Sequence, residues 1–333
     1  MKKINLLFIC VILTSLSTIA QVTYAKPEDF KNIKKRPLVV ENMELNEKSV
    51  ESLEKKISKT SNTEKKEKYK LELENYKKFV NDFNTYVKST VKTYFNLNSE
   101  IIFKSTSEIK ELLKAKSTKY TLLYYSESTS NRTDQYGFKY FPNLTIPTLN
   151  YTRAESGKIK VDYSFFMPYT GQRDRDEIKE EDFILSFTLM KNHIEEIEKT
   201  GEKKYSFRKY LEDQAKKNMP QLNNQTLIIN KNQIHNGSSI ESINEAYNGK
   251  VLAVSEDEIN ASIKNKKDAI IGVIFAYDIL IGGIGPLSAA RISCLKTFIN
   301  TKTGMVYTCI GTEYGQTNDQ FFRTNQFKKY TNE

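Results

Sequence analysis

The sequence predicts an α+β protein: an N-terminal helical hairpin followed by two related modules, each an antiparallel sheet with a helix packed on it. Three observations predict it. An apolar stripe at helical spacing runs through residues 46–95, residues 98–126 resemble residues 248–276 at an offset of 150, and strand–turn–strand segments follow each of those two stretches. With 38% apolar and 28% charged residues in a chain of 333, the composition is that of globular protein.

Residues 1–25 read as a signal peptide. Lys2 and Lys3 precede the apolar run LLFICVILTSLSTIA, and small residues allow cleavage after Ala25 or after Ala20. Polar Thr14, Ser15, Ser17 and Thr18 leave the run short of a membrane span. The expected location is therefore the periplasm or the extracellular space. Removing these residues takes away two lysines and no acids, so the net charge falls from +10 to +8. That excess suits anionic partners and allows peripheral contact with a membrane, while export argues against nucleic acid.

Residues 26–45 show no clear period and read as a linker. In 46–95, Val50, Leu53 and Ile57 start a short helix, and Ser58–Thr63 makes a turn. Tyr69, Leu73, Tyr76, Val80, Phe83, Val87, Val91 and Tyr94 then follow in steps of three and four, one face of a second helix. The stripe is too short for a long coiled coil and is expected to pack on the rest of the chain.

The modules are assigned to 96–200 and 201–333. Over 29 aligned positions six are identical: Asn98/Asn248, Ser105/Ser255, Glu108/Glu258, Ile109/Ile259, Lys114/Lys264 and Lys116/Lys266. Each copy reads as strand, helix, strand, with Ser105 or Thr106 and Ser255 as N-caps and a glutamate in the first turn. LNYTRAESGKIKVDYSFF and LKTFINTKTGMVYTCIG are hairpins. FILSFTLM alternates like a strand, SFRKYLEDQAKKNM ends as a helix before Pro220, and TLIINKNQI reads as another strand.

Two cysteines follow the leader, Cys294 and Cys309, flanking the turn Asn300–Gly304. In a hairpin closed by residues 301–304, Cys294 faces position 311 and Cys309 lies one diagonal step away, so a cross-strand disulfide is expected in an oxidising compartment.

No nucleotide-binding, metalloprotease or nucleophile-elbow motif occurs, and the sequence implies no cofactor and no metal. His193 and His235 have no evident nucleophile or ligand set beside them and are expected at the surface. The acidic run 173–182 lacks the spacing and glycine of a calcium loop and reads as a solvated turn. The apolar, glycine-rich stretch 279–290 reads as a loop of the second module. In the first module, Arg132, Tyr136, Phe138, Tyr140 and Phe141 lie in a polar loop, where aromatic faces beside charged groups suit sugar rings or an extended peptide. These five are the expected ligand-binding residues.

The expected function is that of an exported, non-enzymatic binding protein of the cell envelope or extracellular space, its partner an anionic polysaccharide or a protein. Two alternatives stand beside it: a secreted hydrolase whose carboxylates the sequence does not single out, and a structural subunit of an envelope complex that docks through the 65–95 helix.

Overall fold

Leu38, Val39 and Val40 are all buried. A strand covered on both faces needs apolar residues at every position, so it carries no period-two signature. The computed structural model describes residues 26–129, 145–168, 177–202, 205–282, 289–311 and 320–330. It begins with helix α1 (Pro27–Ile33) and strand β1 (Leu38–Asn42). The segment expected as a linker thus supplies a helix and the second strand of a five-stranded sheet.

Helices α2 (Glu47–Lys59) and α3 (Thr63–Tyr94) follow, capped by Asn46 and Asn62, whose side chains accept the Ser49 and Lys65 amides. The two helices pack on each other. The α3 stripe is covered by the chain itself: Leu73, Val80, Phe83, Val87 and Val91 are buried, and Phe83 meets Tyr125 and Phe183 edge-on. Among the described residues no helix is long and apolar enough to cross a membrane.

The first sheet is completed by β2 (Ile101–Ser105), helix α4 (Thr106–Lys114), β3 (Thr121–Thr129), β4 (Thr145–Glu155) and β5 (Lys158–Phe166), in the order β2-β1-β3-β4-β5. Helices α5 (Glu180–Thr200) and α6 (Phe207–Asn218) lead to β6 (Thr226–Asn230), α7 (Ile240–Ala246), β7 (Lys250–Val254), α8 (Glu256–Lys264), β8 (Ile270–Gly282), β9 (Ala289–Asn300) and β10 (Ile310–Gly311), ordered β10-β9-β8-β6-β7. Both sheets are mixed, not antiparallel as expected. In each, the first strand lies between the two strands of a strand–helix–strand crossover and runs parallel to both. The crossover helix is what permits parallel neighbours.

Local details recur at an offset of 150. Ser105 and Ser255 accept the Glu108 and Glu258 amides, and those glutamates accept the serine amides in return. Both helices end on a left-handed lysine, Lys116 at φ 50° and Lys266 at φ 48°. The next amide in each, Ser117 or Lys267, donates five residues back to Leu112 or Ser262. After the helices the offset slips by one: β3 begins at Thr121 and β8 at Ile270. The part of the 98–126 and 248–276 alignment that covers β3 and β8 consequently fails in register, because the connection after α8 is one residue shorter.

FILSFTLM, expected as a strand, forms the first half of α5. Phe183, Ile184, Leu185, Phe187, Leu189 and Met190 are buried right round the helix, so a sequence that is apolar on every side carries no helical stripe. One buried cluster runs from Leu38, Val40, Leu149 and Phe165 of the first sheet through α5 to Ile271, Val273, Leu295 and Ile299 of the second. A second cluster lies on the far face of the second sheet, where Phe298, Phe322, Phe327 and Tyr330 pack ring against ring.

No disulfide joins Cys294 and Cys309. The turn forms as expected: Gly304 has φ 69°, and the Asn300 side chain accepts the Lys302 and Thr303 amides. Beyond it, the Phe298 amide donates to the Thr308 hydroxyl, and the pairing shifts by one residue, from Ile299 with Val306 to Lys296 with Ile310. That shift reverses which face Cys309 occupies. Cys294 belongs to the far cluster, whereas Cys309 packs against the inter-sheet core.

Candidate functional site

Arg153 of β4 is a buried charge, only 2% exposed. A buried guanidinium requires acceptors, and three carboxylates surround it. Its Nη2 lies 3.1 Å from Asp29 Oδ2 and 3.3 Å from Glu155 Oε2, and its Nε lies 3.1 Å from Asp162 Oδ1. Lys160, paired with Arg153 across the strands, makes an ion pair with Glu155.

Local geometry assembles the cluster. The β4–β5 turn places Ser156 at φ 51° and Gly157 at φ 71°, the two successive left-handed residues of a tight hairpin. Arg153 and Glu155 then share a face with Lys160. A bulge follows: Tyr151 pairs with Tyr163 and Thr152 with Val161, which leaves Asp162 without a cross-strand residue. Asp162, two residues from Lys160, keeps that residue's face toward the arginine, and the bulge turns Tyr163 onto the same face. Asp29 comes from α1, where it accepts the Lys26 amide at 3.2 Å.

Lys26, Asp29, Arg153, Lys160, Val161 and Asp162 line a pocket of about 450 Å³. Asp162 is 1% exposed, and its Oδ2 has no hydrogen-bond partner among the described residues. Burial pushes its carboxyl up to about 7, more than Arg153 lowers it. Asp29 moves the other way: partial burial raises it, but the Lys26 amide and Arg153 together hold it below the ordinary value. Glu155 is lowered by Lys160 first and Arg153 second. Among the described residues three carboxylates face two ion-paired cations, and Asp162 is the one whose carboxyl is raised toward neutral pH. The pocket therefore offers a buried guanidinium, an ionised carboxylate in Asp29 and, in Asp162, a carboxyl that titrates near neutral pH with one oxygen unpartnered. In the second sheet the position equivalent to Arg153 is Asn300, bonded to Asp268 at 2.7 Å, so this charge belongs to the first sheet alone.

The expected ligand-binding residues Arg132, Tyr136, Phe138, Tyr140 and Phe141 lie outside the described residues, between β3 and β4. Arg153 is eight residues along β4 from Thr145, roughly 26 Å at the strand rise. Of the 279–290 stretch, expected as a loop, residues 279–282 continue β8 and residues 289–290 begin β9, pairing as far as Gly282 with Ala289, while residues 283–288 lie outside the described residues. Of the acidic run, Glu180, Glu181 and Asp182 form the first turn of α5. Glu180 is not merely solvated there; it binds Ser89 and, at 2.8 Å, Lys264.

His193, expected at the surface, is fully buried in α5. Its Nε2 lies 3.1 Å from the Tyr205 carbonyl, which can only accept, so Nε2 carries the proton. Nδ1 then accepts from the Tyr163 hydroxyl at 2.6 Å. Burial drives its pKa down to about 3, so the ring is neutral and works as a core hydrogen-bond bridge. His235 is half-buried, and its Nδ1 accepts the Gly237 amide.

In the sequence Asp162 keeps the polar phase of KIKVDYSFF, with Lys158, Lys160 and Ser164, so nothing there marks it as a buried carboxyl. Nothing in it links Asp29 to Arg153. Compared with family models, curated proteins and solved structures, the chain matches none.

Proposed function

We propose that this chain is an exported, non-enzymatic binding protein of the cell envelope or extracellular space, with a polysaccharide or an extended peptide as ligand. The observation that carries this reading is the pocket: a buried Arg153 cluster with one unpartnered oxygen, Asp162 Oδ2, which accepts from a ligand hydroxyl or amide when ionised and donates to a ligand oxygen when protonated. The aromatic segment between β3 and β4 is the second contact region, through Arg132, Tyr136, Phe138, Tyr140 and Phe141. Its chemistry, ring faces beside charged groups, suits the same ligands. The shared strand order, the matched capping boxes and the paired left-handed lysines support descent of the two sheets from one duplicated module.

The test is retention of the leaderless chain on isolated cell-envelope polysaccharide across a salt gradient, beside Asp162→Asn and the double variant Tyr136→Ala/Tyr140→Ala. Retention at high salt that Asp162→Asn loses assigns the ligand to the pocket, and retention that the double variant loses assigns it to the aromatic segment. Retention that salt abolishes equally in all three is attraction to the basic chain and would refute the reading.

One observation favours a secreted hydrolase as second reading: Asp29 and Asp162 line one pocket with their pKa values pushed apart, as an acid and its ionised partner require. Turnover of a polysaccharide panel, abolished by both Asp162→Asn and Asp29→Asn, would install that reading in place of the first. The subunit reading has less support, since the α3 stripe it would use is buried within the chain.

A further inference from the structure

The Arg153 cluster carries one more acid than it has ion-paired cations. Asp29, Glu155 and Asp162 face Arg153 and Lys160, and the buried Asp162 Oδ2 is left without a donor among the described residues. A site of this composition calls for one further cation. The backbone nitrogen of Lys26 already lies on the wall of the pocket, 3.2 Å from Asp29 Oδ2. Lys26 is also the residue that follows Ala25, one of the two expected cleavage points.

We propose that the charged pocket is an ammonium-binding site and that its occupant is the protein's own new N-terminus, the α-ammonium of Lys26 released by cleavage after Ala25. The inference rests on the export reading above. Before cleavage the Lys26 nitrogen is an amide with one hydrogen, which goes to Asp29. Hydrolysis of the Ala25–Lys26 peptide bond by water leaves a carboxylate on Ala25 and an ammonium on Lys26 with three hydrogens and a full positive charge. That charge makes three cations for three carboxylates, so Asp162 no longer needs a proton for the cluster to be neutral. Cleavage after Ala20 leaves the amide in place and five extra residues ahead of it. Processing at Ala25 thus completes the site: it fixes α1 to β4 and β5 and turns Asp162 into an ionised acceptor for ligand.

The experiment compares the two cleavage products, chains 26–333 and 21–333, with chain 26–333 acetylated at its α-amine. An α-ammonium held by carboxylates has its pKa raised above the ordinary 7.7–8.0. Its contribution to stability is complete below that ordinary value and disappears as pH rises through the raised one. Chain 26–333 should therefore unfold about 2–4 °C above both other forms at pH 6.5, and the gap should close by pH 10.5. At pH 7 its α-amine should react with an acylating reagent about tenfold more slowly than the same amine in Asp29→Asn, the change expected for a shift of about one pKa unit. Equal melting temperatures at pH 6.5, or equal reaction rates in the two chains, overturn the proposal. The first residue of the protein recovered from the exporting cell separates the two failures. Lys26 permits docking, Gln21 leaves export standing but removes the docking, and an intact Met1 removes both.

Discussion

Replacing Asp162 with Asn should convert a pH-dependent stability into a flatter one, with a sign opposite to that of an ordinary buried ion pair. Burial raises the carboxyl from 3.8 to about 7 in the folded protein. Between those values the native state holds a proton that the unfolded chain has released. The unfolded state binds fewer protons there, so wild-type stability falls as pH rises, by about 1.4 kcal/mol per unit. The full window of about three units corresponds to roughly 4 kcal/mol. Asn keeps the size of the protonated acid without titrating, and Arg153 retains Asp29 and Glu155. The advantage of Asp162→Asn over wild type should therefore grow from pH 4 to pH 7 and then stay level. Urea unfolding of chain 21–333, whose Lys26 nitrogen is an amide, measures this; circular dichroism serves as the probe because the chain has no tryptophan. A difference that is constant with pH, or that grows in favour of wild type, would mean that Arg153 outweighs burial. The protonated Asp162 would then be refuted.

His193→Gln tests the opposing group. A native ring held neutral down to about 3 makes wild type lose stability as pH falls below 6.5, by about 1.4 kcal/mol per unit, and the variant should lack that slope in the same titration. Gly304→Ala should cost about 2–3 kcal/mol, since the residue has φ 69° and a Cβ there would meet Thr188 Cγ2 at 2.6 Å and Asn192 Nδ2 at 2.8 Å; thermal unfolding reads it, and a loss under 0.5 kcal/mol would contradict the placement of the turn on α5. Unfolded chain 21–333 should titrate two thiols and show the same melting temperature with and without reductant. In the native protein Cys309 should react slowly, because burial pushes its thiol up to about 12; a single band shift on reduction would restore the disulfide. Phe187→Ala in α5 should cost about 3–5 kcal/mol by equilibrium unfolding, as the ring is fully buried in the core shared by both sheets.

What the sequence determined by itself is what residues within about five positions decide. The serine–glutamate capping boxes of α4 and α8, the Asn300–Gly304 turn and the α3 stripe are each closed by near neighbours, so their residue types announce them. The tertiary structure decided the rest. Leu38–Asn42 becomes a strand because β2 and β3 arrive on either side of it from more than 50 residues away, and burial of both faces removes the alternation that would have marked it. Residues 183–190 are helical because α5 is enclosed by α1, α3, α6, α8 and β5, and such enclosure erases any stripe. One bulged residue beside Thr308 sends Cys309 to the face opposite Cys294, and another at Asp162 puts Tyr163 on the same face as that carboxyl. A bulge costs the sequence a single residue but inverts a whole strand's facing, since side chains alternate with period two. The pocket itself joins Lys26 and Asp29 to residues more than 120 positions later, a proximity that only the packing of α1 against the β4–β5 hairpin creates.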